Sequence, residues 1–497
     1  MSPAVAGHTM RAMRIAWAVL VSMLVLIAAG CGSEDLGAGE ANGAELLKAG
    51  ALVYWETDSD PDSDQWKQVE ELLGRFPDGE KWIAELKKEL QTEDDVSWED
   101  DIKPALGDQT VLAVYAKSLA DISFVGMTNS KDSDKAIALV KKLNASDPGD
   151  DVITRVVGDW VVISDKEASM DTALKADSGQ ALADADGFKS AMEELPDDAL
   201  SRVYFDPAGA VDAFGGADPE TAKALRMFGL DKLDFAVAWA KARDDGAEIA
   251  GAVRGEGADK LLGSGEPYKS KFLDRVPADA FAFYSIRGEG ATKQFEALRD
   301  NPLYGMAFRQ AEAELGIKID EIIALFKGEV AFYAAPGSPI PKLTLLLESD
   351  DPQQGRQSAD RLLRTLAQRG GGKVTEEGGV TTASFYGFTV SLGSLEDALV
   401  LTTSRGAIEE LGGAGDKLAD SDRFKKALEA ADTPDEYTGL LYTDLGEAVE
   451  LALGWAGAAQ ENVPPEVSRN LKPLRSLVVY GKQDGNLATS LAFLEIE

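Results

Sequence analysis

Hydrophobic and polar positions follow two rhythms along this chain. Short apolar runs bounded by turn residues, such as Ala51 to Glu56, Val111 to Tyr115 and Ile122 to Met127, predict strands. In Ala136, Leu139, Val140 and Leu143 the apolar spacing is three, one and three, the period of an amphipathic helix. A longer helical pattern covers Ser63 to Leu90. The same sequence of elements returns further on. Ala280 to Ile286 predicts a strand, Thr292 to Leu315 a helical stretch, and Val330 to Tyr333 with Leu343 to Leu347 a strand pair. Ala359, Leu362, Leu363 and Leu366 repeat the amphipathic helix. Each half closes on a predicted hairpin, Phe235 to Ala242 with Glu248 to Val253 and Leu477 to Lys482 with Ala488 to Leu494. The turns are Asp244-Asp245-Gly246 and Asp484-Gly485-Asn486.

Residue identities match the shared pattern. Leu182-Ala183-Asp184-Ala185-Asp186-Gly187-Phe188-Lys189 corresponds to Leu418-Ala419-Asp420-Ser421-Asp422-Arg423-Phe424-Lys425. Trp160 to Ser164 corresponds to Ala398 to Thr402, Tyr204-Phe205-Asp206 to Tyr442-Thr443-Asp444, and Asp245-Gly246 to Asp484-Gly485. Upstream, Asp101 through Val111 is similar to Glu321 through Val330. Several matches in one order at slowly drifting offsets are the signature of an internal duplication. Repeat one spans residues 44–254 and repeat two residues 276–497, with a linker at 255–275. Strand pairs joined by tight turns, with helices inserted between them, predict an α+β fold: two tandem repeats of mainly antiparallel sheets packed with helices.

The N-terminus has a different character. Arg11 and Arg14 precede an apolar run from Ile15 to Ala29, which is the form of a secretory signal over residues 1–30 and is short for a membrane span. The run ends in Ala28-Ala29-Gly30-Cys31, which resembles the lipobox of bacterial lipoproteins, with Ala28 where leucine is usual. That resemblance implies a diacylglyceryl thioether on Cys31, the only cysteine, so that the membrane is reached through a lipid anchor. Residues 31–43, rich in Gly, Ala and Glu, then form a flexible tether.

Charge narrows the partners. The chain has 497 residues, with 50 Lys and Arg against 86 Asp and Glu, a formal net charge of −36. A surface this acidic repels phosphate backbones, so nucleic acid is excluded as a partner, and it cannot bind anionic lipid through a basic patch.

Three features recur: the opening Ala49-Gly50-Ala51-Leu52-Val53-Tyr54-Trp55-Glu56 with its second copy Val276 to Tyr284; the Leu-x-Asp-x-Asp-x-Phe-Lys element; and the Tyr-x-Asp strand end. Behind a lipobox, they resemble an uncharacterised-domain family of bacterial, mainly actinobacterial, envelope lipoproteins. The resemblance implies a duplicated α+β body and an envelope location, and it brings no catalytic residues.

Much chemistry is excluded. The only histidine, His8, lies in the signal segment, so Ser-His-Asp and Cys-His catalysis and histidine-ligated zinc are removed. No serine has a lysine three residues on. Gly370-Gly371-Gly372-Lys373 follows a helix and precedes a strand, the reverse of a phosphate loop, and fits a helix C-cap. Within Asp58 to Asp64, counting from Asp60 puts carboxylates at calcium-loop positions 1, 3 and 5 and Glu71 at position 12. Asp60, Asp62, Asp64 and Glu71 are therefore a candidate weak divalent-cation site, although Gln65 replaces the required glycine. The competing expectation is an acidic turn capping a helix. Asp206 and Asp444 are expected as helix N-caps, and Trp55, Trp66, Trp82 and Trp98 mainly as core.

The expectation is a membrane-anchored extracytoplasmic lipoprotein without cofactor or catalysis, binding an unidentified ligand or protein at the envelope. The alternatives are an envelope assembly factor and a carboxylate-dependent hydrolase, the latter needing two inward-facing acids in one pocket.

Overall fold

The computed structural model describes residues 43–497 except 92–95, 119–120, 147–151, 176–178, 216–218, 259–264, 290–291, 293–298, 300–301, 317, 339, 386 and 459–462. The signal segment, Cys31 and residues 31–42 of the tether lie outside the described residues. The chain forms two compact units: residues up to Ala258 with Arg469–Pro473 and Ile496–Glu497, and Asp259–Ser468 with Leu474–Glu495.

The first unit contains eight strands among the described residues: β1 (Val53–Asp58), β2 (Gly107–Ser118), β3 (Asp121–Ser130), β4 (Ile153–Val157), β5 (Trp160–Ser164), β6 (Ser201–Phe205), β7 (Leu233–Arg243) and β8 (Gly246–Gly255). Every pairing is antiparallel and the spatial order is β4-β5-β3-β2-β1-β6-β7-β8. The β4–β5 hairpin turns at Gly158, whose φ of 59° disfavours any residue with a Cβ.

The second unit holds β9 (Ala282–Arg287), β10 (Glu329–Ala335), β11 (Lys342–Glu348), β12 (Lys373–Glu377), β13 (Val380–Phe385), β14 (Phe388–Ser394), β15 (Ala398–Thr402), β16 (Gly439–Asp444), β17 (Leu474–Asp484) and β18 (Leu487–Ile496). Its antiparallel order runs β12-β13-β14-β15-β11-β10-β9-β16-β17. β18 follows the turn at Gly485, another left-handed glycine with φ 57°. With β1 matched to β9, the two orders coincide strand for strand from β4 and β14 onward. The second unit adds β12 and β13 outside β14. Directly after its amphipathic helix the first unit has two strands, β4 and β5, and the second has four, β12 to β15.

Packing follows the sequence period. Ser133–Ser146 is helical, and its Ala136 is buried with Val161 of β5. In the second unit the helix Pro352–Arg369 starts at Asp351, whose carboxylate accepts the Gln354 N–H at 3.0 Å. Its Ala359, Leu363 and Ala367 bury against Leu347, Leu399, Leu392 and Ala383. Each such leucine contributes about 1.5–3 kcal/mol of burial. The motif shared by the repeats makes a 3₁₀ turn and a short helix in both, Leu182–Asp184 with Asp186–Met192 and Leu418–Asp420 with Asp422–Ala430. Its phenylalanine stands edge-on to the strand tyrosine. Phe188 lies 5.1 Å from Tyr204 and Phe424 4.9 Å from Tyr442, ring centre to ring centre.

Two expectations change. The helical stretch from Ser63 to Leu90 is broken into Asp64–Gly74 and Gly79–Leu90 around Pro77, which cannot continue a helix. The stretch 255–275, expected as a linker, is core at its end: Tyr268, Phe272 and Leu273 are buried. Its Gly- and Ser-rich beginning hid that role, because the apolar residues after it are too sparse to show a period.

Candidate functional site

Both central strands carry an acid where the pattern calls for a core residue. Glu56 on β1 is 2% exposed and Glu329 on β10 is 1% exposed. Such a carboxylate persists only if donors replace the lost water.

At Glu56 the donors come from three strands. The Tyr54 hydroxyl donates to Oε2 at 2.7 Å and the Gln109 amide to the same oxygen at 2.6 Å. Arg202, directly opposite on β6, forms an ion pair with Oε1 at 2.5 Å. Burial, and then the Glu56 charge, push the Tyr54 hydroxyl well above its ordinary value. The phenol therefore stays protonated and donating.

Among the described residues Glu329 is held by hydroxyls and a backbone amide rather than by a guanidinium. Ser270 and Ser285 donate to Oε1, the latter at 2.8 Å, and the Lys271 backbone N–H donates to Oε2 at 3.0 Å. The Tyr268 hydroxyl shares a 2.7 Å hydrogen bond with Ser285, and its ring stands 5.5 Å from that of Tyr437. Burial raises both phenols.

These are the same place in the two repeats. Tyr54 faces Tyr204 and Phe283 faces Tyr442, which puts Glu56 level with Ser285 and Gln109 level with Glu329. The acid has moved from the first strand to its neighbour. Neither glutamate was singled out from the sequence. The available signal was an acid closing an apolar strand run (Val53-Tyr54-Trp55-Glu56), and only the cross-strand register gives it meaning.

The acidic turn does not assemble as a cation site. Asp58 Oδ1 accepts the Asp60 N–H at 3.1 Å and Asp60 Oδ1 accepts the Asp62 N–H at 2.9 Å, so the oxygens close local turns. Lys131 lies 2.8 Å from Asp60 and 3.1 Å from Asp108, Lys103 3.8 Å from Asp62, and Lys67 3.3 Å from Asp64. No group of three or more His, Cys, Asp or Glu suited to a metal occurs among the described residues, so Asp60, Asp62, Asp64 and Glu71 are not brought together. Lysines neutralise the turn instead. The helix cap there is the Ser63 hydroxyl, which accepts the Trp66 N–H at 3.3 Å, rather than a carboxylate. Burial pushes the Asp58 carboxyl up to about 6, against the hydrogen bonds from Ser63 and Asp60. At Asp60 the Lys131 hydrogen bond and charge outweigh burial and hold the carboxyl low.

Asp206 and Asp444 open helices. Asp206 accepts the Gly209 N–H at 2.8 Å, and Asp444 accepts the Glu447 N–H at 3.0 Å while pairing with Arg423 at 2.6 Å. Trp66 and Trp98 are buried in one apolar cluster, Trp55 donates to Ser201 at 2.6 Å, and Trp82 is 38% exposed. No helix among the described residues is long and apolar enough to cross a membrane.

Residues 131–486 match the family described as "Protein of unknown function (DUF3352)". No curated protein matches the chain. Among solved structures, crystal form III of TP0453 is similar at 17% identity and a TM-score of 0.25, covering 45% of this chain and 79% of that one. Crystal form IV matches at 16% identity and a TM-score of 0.24, covering 47% and 83%. Superpositions this loose transfer nothing to the present fold.

Proposed function

Starting from the fact that this chain belongs to the family described as protein of unknown function (DUF3352), we propose that it is an extracytoplasmic lipoprotein, held at the cell membrane by lipid on Cys31, that binds a ligand or partner without catalysis. The observation that carries the non-catalytic reading is that both acids are buried and held by groups of the fold itself. Glu56 is closed by Tyr54, Gln109 and Arg202, and Glu329 by Ser270, Lys271 and Ser285. A carboxylate serving as general acid or nucleophile needs an open side facing substrate. The anchor rests on the sequence around Cys31.

Mass spectrometry of the protein purified from its native host tests the anchor. The expected N-terminal peptide starts at Cys31 and carries acyl chains; a bare thiol, or retained residues 1–30, overturns it. Crosslinking in intact cells tests binding, and its expected outcome is a ligand recovered in stoichiometric amount. Turnover that Glu56→Gln or Glu329→Gln abolishes in a still-folded chain would overturn the non-catalytic reading.

A further inference from the structure

We propose that the outer edge of β4 is a docking strand for an extended segment of a partner polypeptide, which pairs antiparallel in the place that β13 fills in the second unit. The proposal rests on the binding reading above and gives it a location.

The first observation is the register. On β5, Ser164 faces Val125 on one side and Ile153 of β4 on the other. On β15, Thr402 faces Thr344 and Ser391 of β14 in the same way. β4 and β14 are therefore equivalent strands. β14 is closed on its far side by β13, with Ser391 opposite Thr382. Among the described residues no strand closes β4.

The second observation is how the two edges are dressed. β12, outermost in the second unit, carries Lys373, Glu376 and Glu377; Glu376 pairs with Arg364 at 3.0 Å and Glu377 with Arg405 at 2.8 Å. Charges on an edge strand oppose further pairing. β4 reads Ile153-Thr154-Arg155-Val156-Val157. Its one charge is drawn onto its own fold, where Arg155 bonds Glu167 and lies 3.0 Å from Asp171. Val156 faces Val161, on the side of helix Ser133–Ser146, yet is 50% exposed. The chain enters β4 held in place, since Asn144 donates to the Val152 carbonyl at 2.7 Å and accepts its N–H at 3.0 Å. An edge fixed in this way presents its backbone groups to a partner in one register.

β13 supplies the chemistry of the occupant. Thr381 and Ala383 are buried toward helix Pro352–Arg369, where Thr381 donates to Asp360 at 2.7 Å. Thr382 and Ser384, on the other face, hydrogen-bond Ser391 and Thr389 at 3.1 Å. The matching partner is an uncharged strand with small and β-branched residues at alternate positions. A second copy of this chain is disfavoured by the net charge of −36.

The test is hydrogen exchange of the full chain, read by mass spectrometry, with a synthetic peptide of the sequence of residues 378–387 and with the same peptide N-methylated at alternate backbone nitrogens. The expected result is exchange slowed at least tenfold across residues 152–157 by the plain peptide and unchanged by the methylated one. Val156→Lys should abolish the protection while leaving the unfolding midpoint in place. Unchanged exchange at saturating peptide, or equal protection by both peptides, overturns the proposal. Protection that grows with protein concentration in the absence of peptide also overturns it, because the occupant is then a second copy. If the edge stays silent while crosslinking in cells recovers a ligand elsewhere, the docking strand fails and the broader binding reading stands.

Discussion

Glu56 and Glu329 are two solutions to one problem. Each unit buries a carboxylate between its central strands, on Glu56 in the first and, in the second, on Glu329 level with Gln109, but among the described residues the first unit supplies a guanidinium and the second hydroxyls and one amide. Arg202 in the first unit is replaced by Leu440 in the second. What the duplication preserved is a buried polar plug in the sheet, while the residue that bears the acid changed strands. Removing a cation from a buried pair strands a charge, whereas removing a hydroxyl leaves one weaker hydrogen bond unmade. The two plugs should therefore break differently.

The largest effect is expected at Arg202. Arg202→Leu leaves Glu56 buried without its cation and should destabilise the first unit by about 3–5 kcal/mol, whereas Glu56→Leu/Arg202→Leu together should restore most of the loss. Six of the seven tryptophans among the described residues (Trp55, Trp66, Trp82, Trp98, Trp160 and Trp239) lie in that unit, so denaturant unfolding followed by tryptophan fluorescence reads it selectively. A single-variant cost under about 1 kcal/mol would show that the pair is solvated and the contrast false.

Next come the shared phenylalanines. Phe188→Ala and Phe424→Ala should each cost about 3–4 kcal/mol. The first should cost more, because Phe188 meets both Tyr54 and Tyr204 edge-on at 5.1 Å, and Phe283 stands where Tyr54 would be in the second unit. Calorimetry of the full chain checks which transition moves.

The pH dependence separates the units further. Two residues past Glu56 lies Asp58, with a carboxyl raised to about 6 by burial; two past Ser285 lies Arg287. The folded chain therefore holds a proton on Asp58 that the unfolded chain has released. Stability of the first unit should fall as pH rises from about 4 to 6, by up to about 3 kcal/mol. Asp58→Asn should flatten that slope in the fluorescence transition, and a slope that survives the substitution assigns it to another group.

The smallest effect is expected at Ser285. Ser285→Ala removes one donor from Glu329 and the partner of the Tyr268 hydroxyl, and should cost about 1–3 kcal/mol in the second unit. A larger loss than Arg202→Leu would invert the comparison.

Local features were legible in the sequence because they depend on neighbours along the chain. The hairpins at Gly246 and Gly485 and the helix over Ser133–Ser146 follow from turn residues and apolar period, and the Phe188 and Phe424 elements from plain residue identity. The acidic turn was legible as acidic but not in its use, since Lys131 and Lys103 reach it from distant segments. Loop-position counting cannot see a lysine 71 residues away.

The sequence by itself determined the repeat, the α+β alternation and the kinds of residue on each strand, because periodicity and identity are properties of short windows. Only the tertiary structure decided which acids are buried, which donors meet them, that the stretch after residue 268 is core, and that β13 closes one sheet edge while the described residues leave its equivalent open. Those outcomes depend on cross-strand register between segments tens to hundreds of residues apart. A shift of one residue there would turn Glu56 and Glu329 to the opposite face.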